Sequence, residues 1–164
     1  MAHGLRERYA LARFAPIPLR AIVGFGFMQH AFAKLSKGPD SFAAILHAMN
    51  VPAPHVMAWL TILVELLGGL SVLLGGFVTL VSLPMAIVLL VAMFTVHLPF
   101  GFSSIKLLAV TEAGPQFGPP GYETVLLYLA CLAALVLGRA GPLSIDGAIS
   151  RVRREAPATS CAEP

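Results

Sequence analysis

Charge is scarce in this chain. Asp, Glu, Lys and Arg make up only 12% of its 164 residues, while 57% are hydrophobic. A soluble domain of this size carries about 25% charged residues. The deficit, with a mean hydropathy of +0.83, argues against a water-soluble globule and for an integral membrane protein. Cysteine is scarce as well. Cys131 lies inside an apolar run and Cys161 near the end, with no C-x-x-C pair. That excludes thiol–disulfide catalysis within the chain and leaves Cys131 as a small packing residue. No flavin, iron–sulfur, c-type haem or metal motif is present, and the residues up to Ala15 hold no apolar core of a cleavable signal.

What the chain does have is apolar runs of membrane-crossing length. Ile17–Leu35, Val56–Gly76, Val81–Phe100 and Tyr122–Gly138 follow one another. Each is close to the ~20 residues that a helix rising about 1.5 Å per residue needs to cross a core of about 30 Å. The expected fold is an all-α membrane protein, a four-transmembrane-helix bundle forming a single domain over 1–150. Residues 151–164 are expected to be a basic, then polar, disordered tail. Eight of the 11 Lys and Arg (Arg6, Arg8, Arg13, Arg20, Arg139, Arg151, Arg153 and Arg154) fall on the side that the termini share. Lys34, Lys37 and Lys106 fall on the other. The positive-inside rule then puts both termini of this multi-pass chain in the cytoplasm. The pI near 9.2 is a topology signal of this kind, and no nucleic-acid partner is implied. Contact of Arg151–Arg154 with anionic lipid is the alternative to simple charge asymmetry.

Local signals set the joints. Pro16 and Pro18 open helix 1, and Lys37-Gly-Pro-Asp40 ends it. Asp40 or Ser41 is placed to cap a short interfacial helix, Phe42–Met49, between helices 1 and 2, with His47 towards the headgroups. Trp59 suits the interface, and Pro84 is tolerable near the start of helix 3. Gly68-Gly69 and Gly75-Gly76, seven residues apart, make a stripe for close helix packing or for a homo-oligomer. In the long connection Phe102–Gly121, Gly114-Pro115 and Gly118-Pro119-Pro120-Gly121 are expected to exclude regular structure from its second half.

Glu65 is the informative anomaly, a carboxylate in mid-run that costs roughly 2.5–3.5 kcal/mol to insert and needs a partner. The alternating direction of the helices puts the candidates at one end of the bundle. His30 and Lys34 are in the outer half of helix 1, one turn apart on one face. Glu65 lies about 12 Å below the outer start of helix 2, His97 at the outer end of helix 3, and Tyr122-Glu123 at the outer start of helix 4. Gln29 points away from this group, and Arg20, near the other end, is expected to snorkel to the cytoplasmic interface. Lys34 and Glu65 also fit a purely structural ion pair that fixes helix register. His97 fits an interfacial or capping residue, and Glu123 a favourable charge at a helix start.

The residues Arg20-x-x-x-Gly24, His30-x-x-x-Lys34, Val51-Pro-Ala-Pro54, Val64-Glu-Leu-Leu-Gly-Gly69, His97-Leu-Pro-x-Gly-Phe102, Gly121-Tyr-Glu123 and Gly141-Pro-Leu-Ser-Ile-Asp146 occur in that order. In order and spacing the chain resembles the DoxX family of small four-helix bacterial membrane proteins. One departure is Ala31, where the family commonly has glycine after the histidine. The family takes its name from a subunit associated with thiosulfate:quinone oxidoreductase, and other members are linked to quinone, thiol or oxidative-stress responses. The resemblance therefore implies the membrane subunit of a quinone-linked oxidoreductase. Glu65, His30 and Lys34 are its candidate catalytic residues. His30, Lys34, Glu65, His97, Tyr122 and Glu123 are its candidate quinone contacts, and the electrons come from a protein partner or a soluble donor. The alternative of another class is a non-catalytic anchor or assembly protein for a redox or stress-response complex. A b-type haem between His30 and His97, copper at His47, His55 or methionines, and a transporter built from several copies are minor readings.

Overall fold

The computed structural model describes residues 12–138 and 141–155, with side chains as far as Val152. Arg6, Arg8, Arg139, Cys161, the tail from 156 and the side chains of Arg153 and Arg154 lie outside the described residues. Helix α1 spans Pro16–Lys37, with prolines in its first turn, where a missing N–H costs nothing. Gly38, at φ 88°, turns the chain, and α2 starts at once, Pro39–Ala48. The short helix thus begins earlier than the expected Phe42. Pro39 sets its first turn, and neither Asp40 nor Ser41 caps it through a side chain. Helix α3 spans Pro54–Leu74 and ends on Gly75 in the left-handed conformation (φ 66°) that favours glycine there. Helix α4, Val78–Ala92, holds Pro84 and continues as a π turn, Met93–His97, then a 3-10 turn, Leu98–Phe100. Helix α5 spans Glu123–Gly138 and α6 Ile145–Glu155.

Two expectations are corrected. The connection between α4 and α5 is not irregular throughout, so the chain is mostly helical and not all-α. Strand β1, Leu107–Thr111, pairs antiparallel with β2, Gly114–Phe117, across the two-residue turn Glu112-Ala113. Pro115 stands opposite Val110 on a strand with a single neighbour, and an edge position accommodates the missing N–H. The second correction concerns the tail, which is helical from Arg151 to Glu155, so α6 runs through the boundary placed at 150.

Helices α1, α3, α4 and α5 pack around one core, with α1 lying most extensively on α3. Val23, Phe27, Val72, Met85, Leu132 and Leu135 fill it, and Cys131 packs at its margin. α1 and α3 cross at two glycines. A Cβ on Gly24 would stand 2.6 Å from the Gly69 carbonyl oxygen, and one on Gly69 2.7 Å from that of Gly24. Gly68 faces Met85 of α4, and Gly76 faces Ile145. The glycine pairs thus serve packing within the chain. Helix α2 lays Ala43 and Leu46 on Ala58 near the start of α3, leaving His47 exposed.

Among the described residues two helical segments, Pro54–Leu74 and Val78–Phe100, are long and apolar enough to cross a membrane, and only 33% and 17% of their most apolar windows are buried inside the protein. The core helix of a soluble protein would be mostly covered. Here Leu80, Leu83, Ile87, Val91 and Phe94 form an outward stripe at helical spacing. Helix α5, with 16 residues, reaches about 24 Å.

Candidate functional site

Glu65 meets its partner. Both carboxylate oxygens accept from the Lys34 ammonium, at 2.8 Å (Oε1) and 2.7 Å (Oε2), and the two side chains are 7% and 20% exposed. The pair ties the last turns of α1 to the middle of α3. Phe42 of α2 completes the enclosure, with its ring centroid 5.1 Å from Lys34 Nζ, a cation–π distance. The step from α1 to α2 through Gly38 alone is what folds that ring back over the lysine.

On the open side of this pair lies a cleft of about 200 Å³ between α1 and α2, lined by His30, Ala33, Lys34, Lys37, Ser41, Phe42 and Ile45. His30 and Lys34 share it because residues four apart occupy one helix face. Glu65 is buried behind Lys34 and does not line the cleft. Two of the three ammonium donors are taken by Glu65, which leaves one for a ligand oxygen.

His97 approaches from α4 and lies within electrostatic reach of His30. Its position comes from the π turn, a feature frequent at functional sites. Its Nδ1 is 3.1 Å from the Pro120 carbonyl oxygen. A carbonyl only accepts, so Nδ1 carries the proton, and in the neutral ring Nε2 is an acceptor. Tyr122 and Glu123 hold the neighbouring loop. The Tyr122 ring packs edge-on against Phe102 at 5.6 Å, and Glu123 Oε2 accepts from the Ser104 N–H at 3.0 Å. The structure therefore pairs Lys34 with Glu65 directly, sets His30 on the cleft wall with Lys34, holds His97 on the Pro120 carbonyl within electrostatic reach of His30, and engages Tyr122 and Glu123 with residues 101–104. Among the described residues no group of three or more His, Cys, Asp or Glu could hold a metal ion.

The opposite end of the bundle holds a second polar cluster. Arg20 is 6% exposed. It donates to the carbonyls of Val72 (3.3 Å), Leu73 (2.9 Å), Pro142 (3.5 Å) and Leu143 (3.0 Å). It does not reach out to an interface as expected, because the last carbonyls of α3 and the turn before α6 need donors and a guanidinium supplies several in one plane. Asp146, within electrostatic reach of Arg20, accepts from the Phe77 and Val78 N–H groups at 2.9 and 3.3 Å, capping α4. The cap went unread in the sequence because its two parts are about seventy residues apart. The available signal was an acidic residue opening α6 near the level of the exposed N–H groups of α4.

The family model described as DoxX matches residues 15–98. The matched stretch contains His30, Lys34, Glu65 and His97 but neither the hairpin nor α5. No curated protein and no solved structure matches the chain.

Proposed function

The chain belongs to the DoxX family of membrane proteins, and from that premise we propose a four-span inner-membrane protein, both termini cytoplasmic, whose outer cleft receives the ring of a membrane-dissolved quinone. The chain would act as the membrane subunit of a quinone-linked oxidoreductase. The observation that carries this reading is the cleft itself: about 200 Å³, with His30 and Lys34 on its wall and Glu65 behind the lysine. An apolar cavity of about 150 Å³ admits benzene, so a cleft of about 200 Å³ has room for one substituted ring. An isoprenoid tail would leave it along the apolar surface of the helices.

A bound quinone supplies a two-electron, two-proton acceptor with an oxygen at each end of its ring. Lys34 Nζ donates its remaining N–H to one such oxygen and keeps positive charge beside it. Glu65 holds that ammonium in place through both oxygens and would relay a proton back to Nζ once Nζ has given one to the ring oxygen. The His30 ring would hydrogen-bond to the ligand in the same cleft, and His97, with Nδ1 on the Pro120 carbonyl, leaves Nε2 to extend a proton path beyond it. Electrons come from a protein partner or a soluble donor.

Titration of the purified protein with a short-chain quinone analogue tests this. His30→Ala is expected to weaken binding at least tenfold while insertion and folding persist. Unchanged binding in both His30→Ala and Lys34→Met overturns the reading. The bidentate closure of Lys34 on Glu65 favours one other reading, a non-catalytic anchor in which the pair fixes the α1–α3 register. In that case the same substitutions lower recovery of a partner complex and leave no selective redox defect.

A further inference from the structure

We propose that α6 is a lipid-binding foot that docks on a bilayer surface rich in anionic phosphate headgroups. The proposal uses none of the outer cleft and holds whatever ligand the cleft takes.

The first turn of α6 is fixed in place. Ser144 Oγ accepts from the Gly147 N–H at 3.0 Å, an N-cap. The Asp146 N–H donates to the Gly75 carbonyl at 3.1 Å while its carboxylate caps α4. Ile145 sits against Gly76, where an added Cβ would stand 3.3 Å from that of Ile145. The Gly75–Phe77 turn joins the two segments long and apolar enough to cross a membrane. The helix therefore starts at the boundary where both segments end.

Beyond this anchor, α6 has no extensive packing against any other element among the described residues. Its sequence is nonetheless two-sided. Ile145, Ile149 and Val152 recur at the i, i+4, i+7 spacing of one helix face, and they are 42%, 41% and 68% exposed. Leu143, just before the helix, is 81% exposed. Arg151 is exposed, and Arg153 and Arg154 follow it within the helix. Three arginines within four residues, on a helix that carries an uncovered apolar stripe, match an interfacial helix on an anionic surface. The stripe enters the acyl boundary, and flanking guanidiniums reach phosphate oxygens. A free phosphate would use the arginines and leave the stripe in water. With the termini cytoplasmic, the contacted leaflet is the one that carries anionic lipid.

The test uses the full chain in lipid nanodiscs. Trp59 is the sole tryptophan, so Trp59→Phe with Val152→Trp places one indole on the stripe. In discs containing phosphatidylglycerol, a shielded indole quenched by chain-brominated lipid is expected, with loss of quenching in high salt. Arg151→Gln should lower the embedded-to-free ratio about fivefold. A water-exposed indole in both anionic and phosphatidylcholine discs, or equal quenching in both, overturns the proposal. Should the tryptophan disturb the helix, backbone hydrogen exchange over 145–155 in the unmodified chain decides. Slower exchange in anionic discs supports the foot, and equal rates in the two discs reject it.

Discussion

Removing one half of the Lys34–Glu65 pair should hurt far more than removing both. At 2.7–2.8 Å and an effective dielectric of about 20, the Coulomb attraction is roughly 6 kcal/mol. Taking both ions from water costs several kcal/mol each. The pair is therefore close to neutral as a whole. Lys34→Met leaves a carboxylate only 7% exposed without its counterion, at a cost of about 3–5 kcal/mol. Lys34→Met with Glu65→Leu removes the charge together with its solvation problem and should return to within about 1 kcal/mol of the parent. Reversible unfolding in mixed micelles, followed by circular dichroism, measures all four corners of the cycle. The reasoning is refuted if the double variant is as unstable as Lys34→Met. A single-variant cost below about 1 kcal/mol would refute it equally.

Other outcomes follow from the same geometry. Gly69→Val should destabilise by about 1–3 kcal/mol, because its Cβ would meet the Gly24 carbonyl and two packed backbones have no flexible end to yield. An unchanged unfolding midpoint would show that α1 and α3 cross elsewhere. Asp146→Ala removes both acceptors at the start of α4 and should cost about 0.5–2 kcal/mol, with faster hydrogen exchange at Phe77 and Val78 as the local readout. Nitrogen-15 chemical shifts of His97 should report a proton on Nδ1. The opposite tautomer would break the Pro120 contact and with it the acceptor role of Nε2.

Much of the bundle was legible because its signals are local. Pro16, Gly38, Pro54 and Gly75 fix where helices start and stop, and each acts through its own backbone. Lys34 with Glu65 was legible for a different reason: one carboxylate in mid-run demands a cation at its depth, and antiparallel neighbours offer few. What escaped depends on distant pairing. Pro115 reads as a breaker until its place on an edge strand is known. Arg20 reads as a snorkelling residue until the carbonyls of Val72, Leu73, Pro142 and Leu143 come together around it from two distant parts of the chain. Glu123 gave no sign that its carboxylate would bind the Ser104 N–H, since that contact depends on how the long connection folds back. The 3.6-residue period locates helices, but it carries no information on which loop atoms return to them.

Photolabelling with an azido-quinone, followed by peptide mapping, bears most directly on the claim that the α1–α2 cleft receives a quinone ring. Label is expected on residues 30–45, competed away by unlabelled quinone and lost in His30→Ala. Label confined to other segments, or undiminished by competitor, would contradict it.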